Sequence, residues 1–292
     1  MTDAGIINRK KTRAYRIKRL KTAAYYICLC VFALFFLLPV FVMASKSLFT
    51  FTQINERPGS ILPMPPVLYN FSLALNRDML VQFKNTLIIV SVNVIFVPFT
   101  AALCAYGFSK LEFWGREVFF AVVLSTIMLP GIVTMIPLYV TYVNIGWFDT
   151  LLPFTVPALF GGGAINIFLF RQFMRGISSE LHNAAKIDGA SSFTIFLRII
   201  LPICIPIFVY IMINTFFGVW NDFTGPLIYL RSAEKYTLAV GVYNRFLGSM
   251  TQPLNQNVQM AAAVLIMLPC ALLFLVFQRT LIEGIMLGGV KG

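Results

Sequence analysis

One histidine, eleven acidic residues and a charged fraction of 12% leave little polar chemistry in a chain of 292 residues. With His182 alone, no histidine-rich metal site can be assembled, and Cys28, Cys30, Cys104, Cys204 and Cys270 show no paired metal-ligand spacing. All five lie in or beside apolar runs, where cysteine acts as a small buried apolar side chain, so no disulfide framework is indicated. A G-x-x-x-x-G-K-[ST] phosphate loop is missing: Gly161-Gly162-Gly163 has no following Lys-Ser or Lys-Thr, which excludes ATP binding by that route. Close helix packing or a local break is the role left to those glycines. Neither H-E-x-x-H nor G-x-S-x-G occurs, and no carboxylate pair falls within an apolar run, so the chain is not read as an intramembrane enzyme.

What is present is apolar. Hydrophobic residues make up 59% of the chain, with 29 Phe and a mean hydropathy of +0.82. In water that composition exposes far more contiguous apolar surface than a soluble monomer tolerates, so the solvent for most of the chain is lipid. A spanning helix needs about 20 mostly apolar residues, and six such runs fall near 23–45, 85–109, 117–141, 151–174, 197–221 and 257–279. The expected fold class is an all-α integral membrane protein with about six transmembrane helices. Run 23–45 exceeds a signal-peptide core and has no convincing cleavage site after it, so it reads as a retained helix. Pro39, Pro98, Pro130, Pro137, Pro202, Pro206 and Pro269 lie within or near the runs and predict kinks.

The net charge of +12 does not mark a nucleic-acid binder, because its distribution follows the spans. Eight basic residues, from Arg9 to Lys21, precede the first run; with six spans, sixteen Lys and Arg fall on the side of the N-terminus and seven on the other. By the positive-inside rule both termini are cytoplasmic. The expected organisation is a basic cytoplasmic segment over 1–22, a first helix and external loop over 23–84, a transmembrane domain over 85–280 and a cytoplasmic tail over 281–292. The external stretches from about Lys46 to Lys84 and from Asp222 to Gln256 mix Pro, Asn and Gly with aromatics, so ordered loops or short helices are expected there.

The most informative stretch is the inner connection between the fourth and fifth runs. Ser178-Ser179-Glu180-Leu181-His182-Asn183-Ala184-Ala185-Lys186-Ile187-Asp188-Gly189 predicts a short helix, with serine able to cap free N–H groups at its start and Gly189 ending it. Ser191 or Ser192 then caps a second helical run, Phe193 to Arg198, that enters the membrane. An Ala-containing helix keeps its backbone near its surface and suits a groove on a partner, while a glycine hinge sets its angle to the next span. An ordinary surface helix is the competing reading.

The run Glu180-Leu181-x-x-Ala184-Ala185-x-x-Asp188-Gly189-Ala190, followed by Leu201-Pro202, resembles the "EAA" signature of binding-protein-dependent ABC importer permeases. Trp220-Asn221-Asp222-Phe223, Pro226-Leu227 and Glu234-Lys235-Tyr236-Thr237-Leu238 look like the carbohydrate-uptake, maltose-permease-like branch, as do Gln278-Arg279, Gly284 and Gly288-Gly289-Val290-Lys291-Gly292. The resemblance covers about residues 20–292. It implies the type I ABC importer transmembrane-domain fold in a bacterial cytoplasmic (inner) membrane, and a permease subunit that moves a di- or oligosaccharide by alternating access. Its implied partners are a second permease in a heterodimer, two ATPase subunits that hold ATP-Mg, and an extracytoplasmic solute-binding protein. No cofactor is expected on this chain. Glu180, Asn183, Ala184, Ala185, Ile187, Asp188, Gly189 and Pro202 are the implied contacts with the ATPase. The signature's glutamate is Asn183 here, which keeps hydrogen-bonding capacity and loses the charge, so no ion pair is assigned to it.

An ion-coupled secondary transporter is the alternative, and it needs ionisable groups near the membrane midplane. The runs contain almost none. Asn93, Ser125, Thr126, Thr134, Asn166, Asn214 and Thr215 are the polar residues within the runs, and interhelical hydrogen bonding is the better expectation for each than a place on a sugar pathway. Trp220 suits an interfacial anchor or a stacking platform for a sugar, with anchoring preferred. Asn214, Trp220, Asn221 and Asp222 are the candidates for the substrate pathway or the binding-protein contact.

Overall fold

The computed structural model describes residues 3–247 and 255–289, and all regular structure among them is helical. Four helices are long and apolar enough to cross a membrane, rising to six when each of two bent pairs is taken as one span. The chain divides into two compact units, 1–74 with 254–264, and 75–253 with 265–292.

In the first unit, the helix Asp3–Lys46 absorbs the basic segment and the first run without interruption. Its described side chains from Lys18 to Phe41 are exposed, as expected for a helix solvated by lipid. Beyond it the external stretch is ordered. Thr50 caps a short helix, Phe51–Glu56, by accepting from the Gln53 amide at 3.1 Å. A second short helix, Tyr69–Ala74, carries Asn70, which is 3% exposed and donates to the carbonyls of Ser47 and Phe49, both at 2.8 Å. Asn257, at the start of the last long helix (Gln256–Gly289), donates to the Asn70 side-chain oxygen at 3.0 Å. Two buried amides therefore satisfy loop carbonyls that would otherwise be left without partners.

The second unit is built around the helix Arg77–Lys110. The run was expected to begin near 85; the helix begins eight residues earlier because Asn76 accepts from the Met79 amide at 2.9 Å and fixes its first turn. Ala101, Ala102 and Ala105 are fully buried along it, so neighbouring backbones approach closely. The approach is tightest at Gly162, where a Cβ would lie 2.2 Å from the Val97 carbonyl oxygen and φ is +63°. The glycine triplet is thus both a break and a packing point, between the turns at 152–159 and the helix Ala164–Arg175. Phe170, Met174, Ile195, Phe196, Ile200 and Cys204, all at 0% exposure, fill the core around it.

Two expected runs are broken helices. The run 117–141 is Arg116–Met128 followed by Gly131–Asn144, bent by 99°. Pro130 forces the preceding Leu129 into extended backbone, ψ 114°, and so stops the helix. The run 197–221 is Ser192–Ile203 and Ile205–Trp220, bent by 80°. A π-helical segment over Phe196–Ile200 and the prolines at 202 and 206 interrupt the regular ladder on either side of Cys204. The outer stretch from Asp222 contains helices Thr224–Tyr229 and Leu238–Phe246, while its residues 248–254 lie outside the described residues. The last long helix continues through the expected tail as far as Gly289, and Val290, Lys291 and Gly292 lie outside the described residues.

Candidate functional site: a short helix and an outer cavity

The connection between the fourth and fifth runs folds as its residues dictate. Ser178 accepts from the Glu180 amide at 3.1 Å and the helix runs Ser179–Ile187. At its end the amides of Asp188, Gly189 and Ala190 bond back to Ala184, Lys186 and Ala185, each at 3.0 Å. Gly189 has φ +80° and a Cβ there would meet nothing within 4 Å, so glycine is required by backbone conformation and not by crowding. Ser191 then accepts from the Thr194 amide at 3.2 Å and opens the helix Ser192–Ile195 that leads into the fifth span.

The short helix has two faces. Glu180, Asn183, Ala184 and Ile187 recur at helical spacing on an exposed stripe, with Ile187 86% exposed; Asp188 and Pro202 are exposed as well. Ala185 and His182 turn inward, at 9% and 3% exposure. His182 went unassigned in the sequence reading. Its ring lies 5.9 Å from that of Tyr106, which lies 5.3 Å from Phe196, which in turn lies 6.1 Å from Phe99. A file of aromatic rings therefore leads from the short helix into the two spans it abuts. Among the described residues, neither ring nitrogen of His182, nor the Tyr106 hydroxyl, has a hydrogen-bond partner. Burial, and then the charges of Lys186 and Lys110, hold His182 below the ordinary histidine range, which keeps it neutral near pH 7.

Beside this helix two spans are stapled together. Arg171, 5% exposed, donates through Nη2 to both carboxylate oxygens of Glu117 at 2.7 and 2.8 Å, and through Nε to the Phe108 carbonyl at 3.1 Å. Its guanidinium sits 3.9 Å from the centre of the Phe120 ring. Lys110 Nζ donates to the Ile177 carbonyl at 2.6 Å. The partners of Arg171 and Lys110 lie 54 and 67 residues away, and no local pattern announces them.

Towards the opposite end of the helix Arg77–Lys110, Asn85 donates to the carbonyls of Glu234 and Tyr236 at 2.8 and 3.1 Å. Asp149, with φ +55°, accepts from the amides of Arg231 and Ser232 at 2.9 and 3.0 Å and from the Ser232 hydroxyl at 2.5 Å. Burial opposes its ionisation, but the hydrogen bonds from Ser232 and Arg231 and the charge of Lys235 outweigh it, so the carboxyl sits well below the usual range. Asp149 was another residue missed, although a Gly146-x-x-Asp149 turn after an apolar run is a readable signal.

Near this end lies a cavity of about 200 Å³ lined by Thr86, Asn93, Phe154, Asp222, Pro226 and Thr237, among others. Asp222 accepts from the Gly225 amide at 3.1 Å. Burial raises its pKa against the opposing pull of the Gly225 and Thr224 amides. The Thr237 hydroxyl is buried and has no partner among the described residues. Of the four residues expected on the substrate pathway, only Asp222 lines this space. Asn214 and Asn221 are exposed and donate to carbonyls of their own helix, Tyr210 and Phe217. Trp220 is neither an interfacial anchor nor a free platform: it is 3% exposed, Phe216 stacks on it at 5.4 Å, and its Nε1 donates to the Ile266 carbonyl at 3.2 Å.

The expectation of interhelical bonds from polar residues in the spans is corrected in the same way. Ser125, Thr126, Thr134, Asn166 and Asn214 all bond to carbonyls three or four residues back, the local option open to short polar side chains in a helix. Asn93, by contrast, donates to another segment, the Phe154 carbonyl at 2.7 Å.

Residues 98–286 match the model of the family described as binding-protein-dependent transport system inner membrane component. The chain is 32% identical over 285 residues to the arabinooligosaccharides transport system permease protein AraQ of Bacillus subtilis, covering 92% of this chain and 97% of that protein. It is 27% identical over 288 residues to the maltose/maltodextrin transport system permease protein MalG of Vibrio vulnificus, with 92% and 95% covered. A chain of a crystallised bacterial ABC transporter involved in the import of the acidic polysaccharide alginate has the same fold, with a TM-score of 0.82 at 22% identity, covering 90% of this chain and 97% of that one.

Proposed function

The chain belongs to the binding-protein-dependent transport system inner membrane components, and from that membership we propose that it is the permease subunit of an ATP-driven importer of a di- or oligosaccharide. The observation that carries this reading is the short helix Ser179–Ile187. It presents Glu180, Asn183, Ala184 and Ile187 outward while Gly189 and the Ser191 cap join it to the fifth span. A helix so mounted is a lever: force on its exposed stripe passes through His182, Tyr106 and Phe196 into the bundle core.

In the proposed assembly the chain pairs with a second permease, and the exposed apolar flanks of its spans face that partner and the lipid. Two ATPase subunits, which hold ATP-Mg, close on the cytoplasmic side and push on the short helices. Both termini are on that side. A solute-binding protein docks on the outer side, where the Asp149-tethered loop 230–236 and the helix Leu238–Phe246 are exposed in part. The relatives named for arabinooligosaccharide and maltodextrin transport support the substrate class. The test is reconstitution of the chain with its partner permease, ATPase and binding protein, followed by uptake of labelled arabino-oligosaccharide and maltodextrin. Uptake that requires ATP and all four components is expected. Uptake driven by a proton or sodium gradient without the ATPase sinks the reading.

A further inference from the structure

A second cavity, of about 450 Å³, opens between the end of the helix Arg77–Lys110 and the short helix, lined by Lys110, Leu111, Glu112, Phe113, His182, Asn183 and Lys186. It lies far from the cavity at Asp222, since residues 86 and 110 of one continuous helix are about 36 Å apart at 1.5 Å per residue. Its chemistry is that of an anion receptor. Two lysines line it, and the bond from Lys110 Nζ to Ile177 leaves that ammonium with further donors. Glu112 on the rim offsets one of the two charges. The wall also contains His182, 3% exposed, with both ring nitrogens lacking a partner, although a buried polar group ordinarily has one. Asn183, which takes the place of the signature's glutamate, removes a negative charge from this same wall.

The surroundings select the kind of anion. Lys110 is the last residue of a spanning helix, and the loop that follows exposes Phe113 at 45% and Trp114 at 93%. Exposed aromatics next to a basic residue at the end of a span occupy the headgroup level of a bilayer, and basic pockets between helix ends at that level receive anionic headgroups. We propose that this cavity binds the phosphodiester of an anionic lipid, with Lys110, Lys186 and His182 as donors. The bound headgroup then rests against the helix whose other face carries Glu180 and Ile187, so lipid composition bears on the lever itself. The proposal uses the membrane location of the chain and not the identity of its substrate, so it stands or falls apart from the sugar reading.

The test is native mass spectrometry on the purified full chain, delipidated and then offered phosphatidylglycerol or phosphatidylcholine with matched acyl chains. Preferential retention of phosphatidylglycerol is expected, falling about fivefold for each lysine lost in Lys186→Gln and in Lys110→Gln/Lys186→Gln. Lys84→Gln, an exposed lysine on the outer half of the same helix, leaves it unchanged. Lys186 is exposed, so its single variant keeps the fold even if the double variant does not. Equal retention of the two lipids, or a preference untouched by Lys186→Gln, overturns the proposal. Displacement of phosphatidylglycerol by millimolar inorganic phosphate reassigns the site to free phosphate. Loss of ATPase association in Lys186→Gln, with no lipid preference in the parent chain, reassigns it to an acidic side chain of the ATPase. Both reassignments overturn the lipid.

Discussion

Near each end of the helix Arg77–Lys110 lies a firmly bound carboxylate, and the two are bound in different ways. At the Lys110 end Glu117 is bound by a side chain, the buried guanidinium of Arg171, and the bond joins two spans. At the Arg77 end Asp149 is bound mostly by backbone amides and a hydroxyl of the stretch 231–232, and the bonds hold a loop. One arrangement fixes the bundle while leaving a short helix with a free face; the other fixes a surface around a cavity that retains an unpartnered Thr237 hydroxyl. On the proposed function, one end serves as a lever and the other as a presented surface.

The comparison is broken most directly at the inner staple. Arg171→Ala removes a bidentate ion pair, a carbonyl bond and a ring contact at a buried position and is expected to cost about 2 kcal/mol, seen as a lower unfolding midpoint of the purified chain. Glu117→Gln is expected to cost markedly less, because the Glu117 side chain is 62% exposed and water replaces part of what is lost. Equal effects of the two substitutions would show that the ion pair, and not the buried arginine, holds the spans.

The lever itself is sharpened by Gly189. With open space around a Cβ, Gly189→Asn should retain coupling and Gly189→Val should lose it about five- to tenfold, since a left-handed backbone costs most other L-residues roughly 1–2 kcal/mol. The measurement is sugar taken up per ATP hydrolysed in proteoliposomes. Identical behaviour of Asn and Val variants would mean that space, not φ, governs the hinge.

At the outer end, Asp149→Asn should lower the unfolding midpoint at pH 7. A carboxyl whose folded pKa is depressed contributes its full stabilisation above the unfolded value, near pH 4, and loses it as pH falls towards the folded value. The difference between Asp149→Asn and the parent chain should therefore be constant between about pH 8 and pH 5 and shrink below about pH 4. A difference that grows on acidification contradicts the tether. The smallest effect belongs to Asn183→Glu, which adds charge to an exposed position and should change coupled uptake by less than about twofold; a severe loss would show that the groove receiving this helix has diverged with it.

Much of this was legible in advance. Spans follow from runs of apolar residues, and the short helix followed from two serine caps, an Ala-containing turn and a glycine, all local signals acting within a few residues. What escaped was non-local or directional. Trp220 and a membrane anchor share a sequence signature, and only the stacking of Phe216 and the Ile266 carbonyl distinguish an internal tryptophan from an interfacial one. The bends at Pro130 and Cys204 were foreshadowed by proline, yet their angles depend on what each half packs against. His182 sits one residue from an exposed position, and nothing in its neighbours says which way a single turn of helix is rotated.

The buried amide pair Asn70 and Asn257 has a consequence in time. The two residues are 187 positions apart, so the outer loop that Asn70 organises acquires its last bond only after almost the whole chain has been made. At about 5–20 residues per second the ribosome needs roughly 10–40 s to pass from one to the other. Through that interval the Asn70 oxygen waits for its donor, and the first of the spans to enter the membrane belongs to a unit that stays incomplete until residues 254–264 have been made.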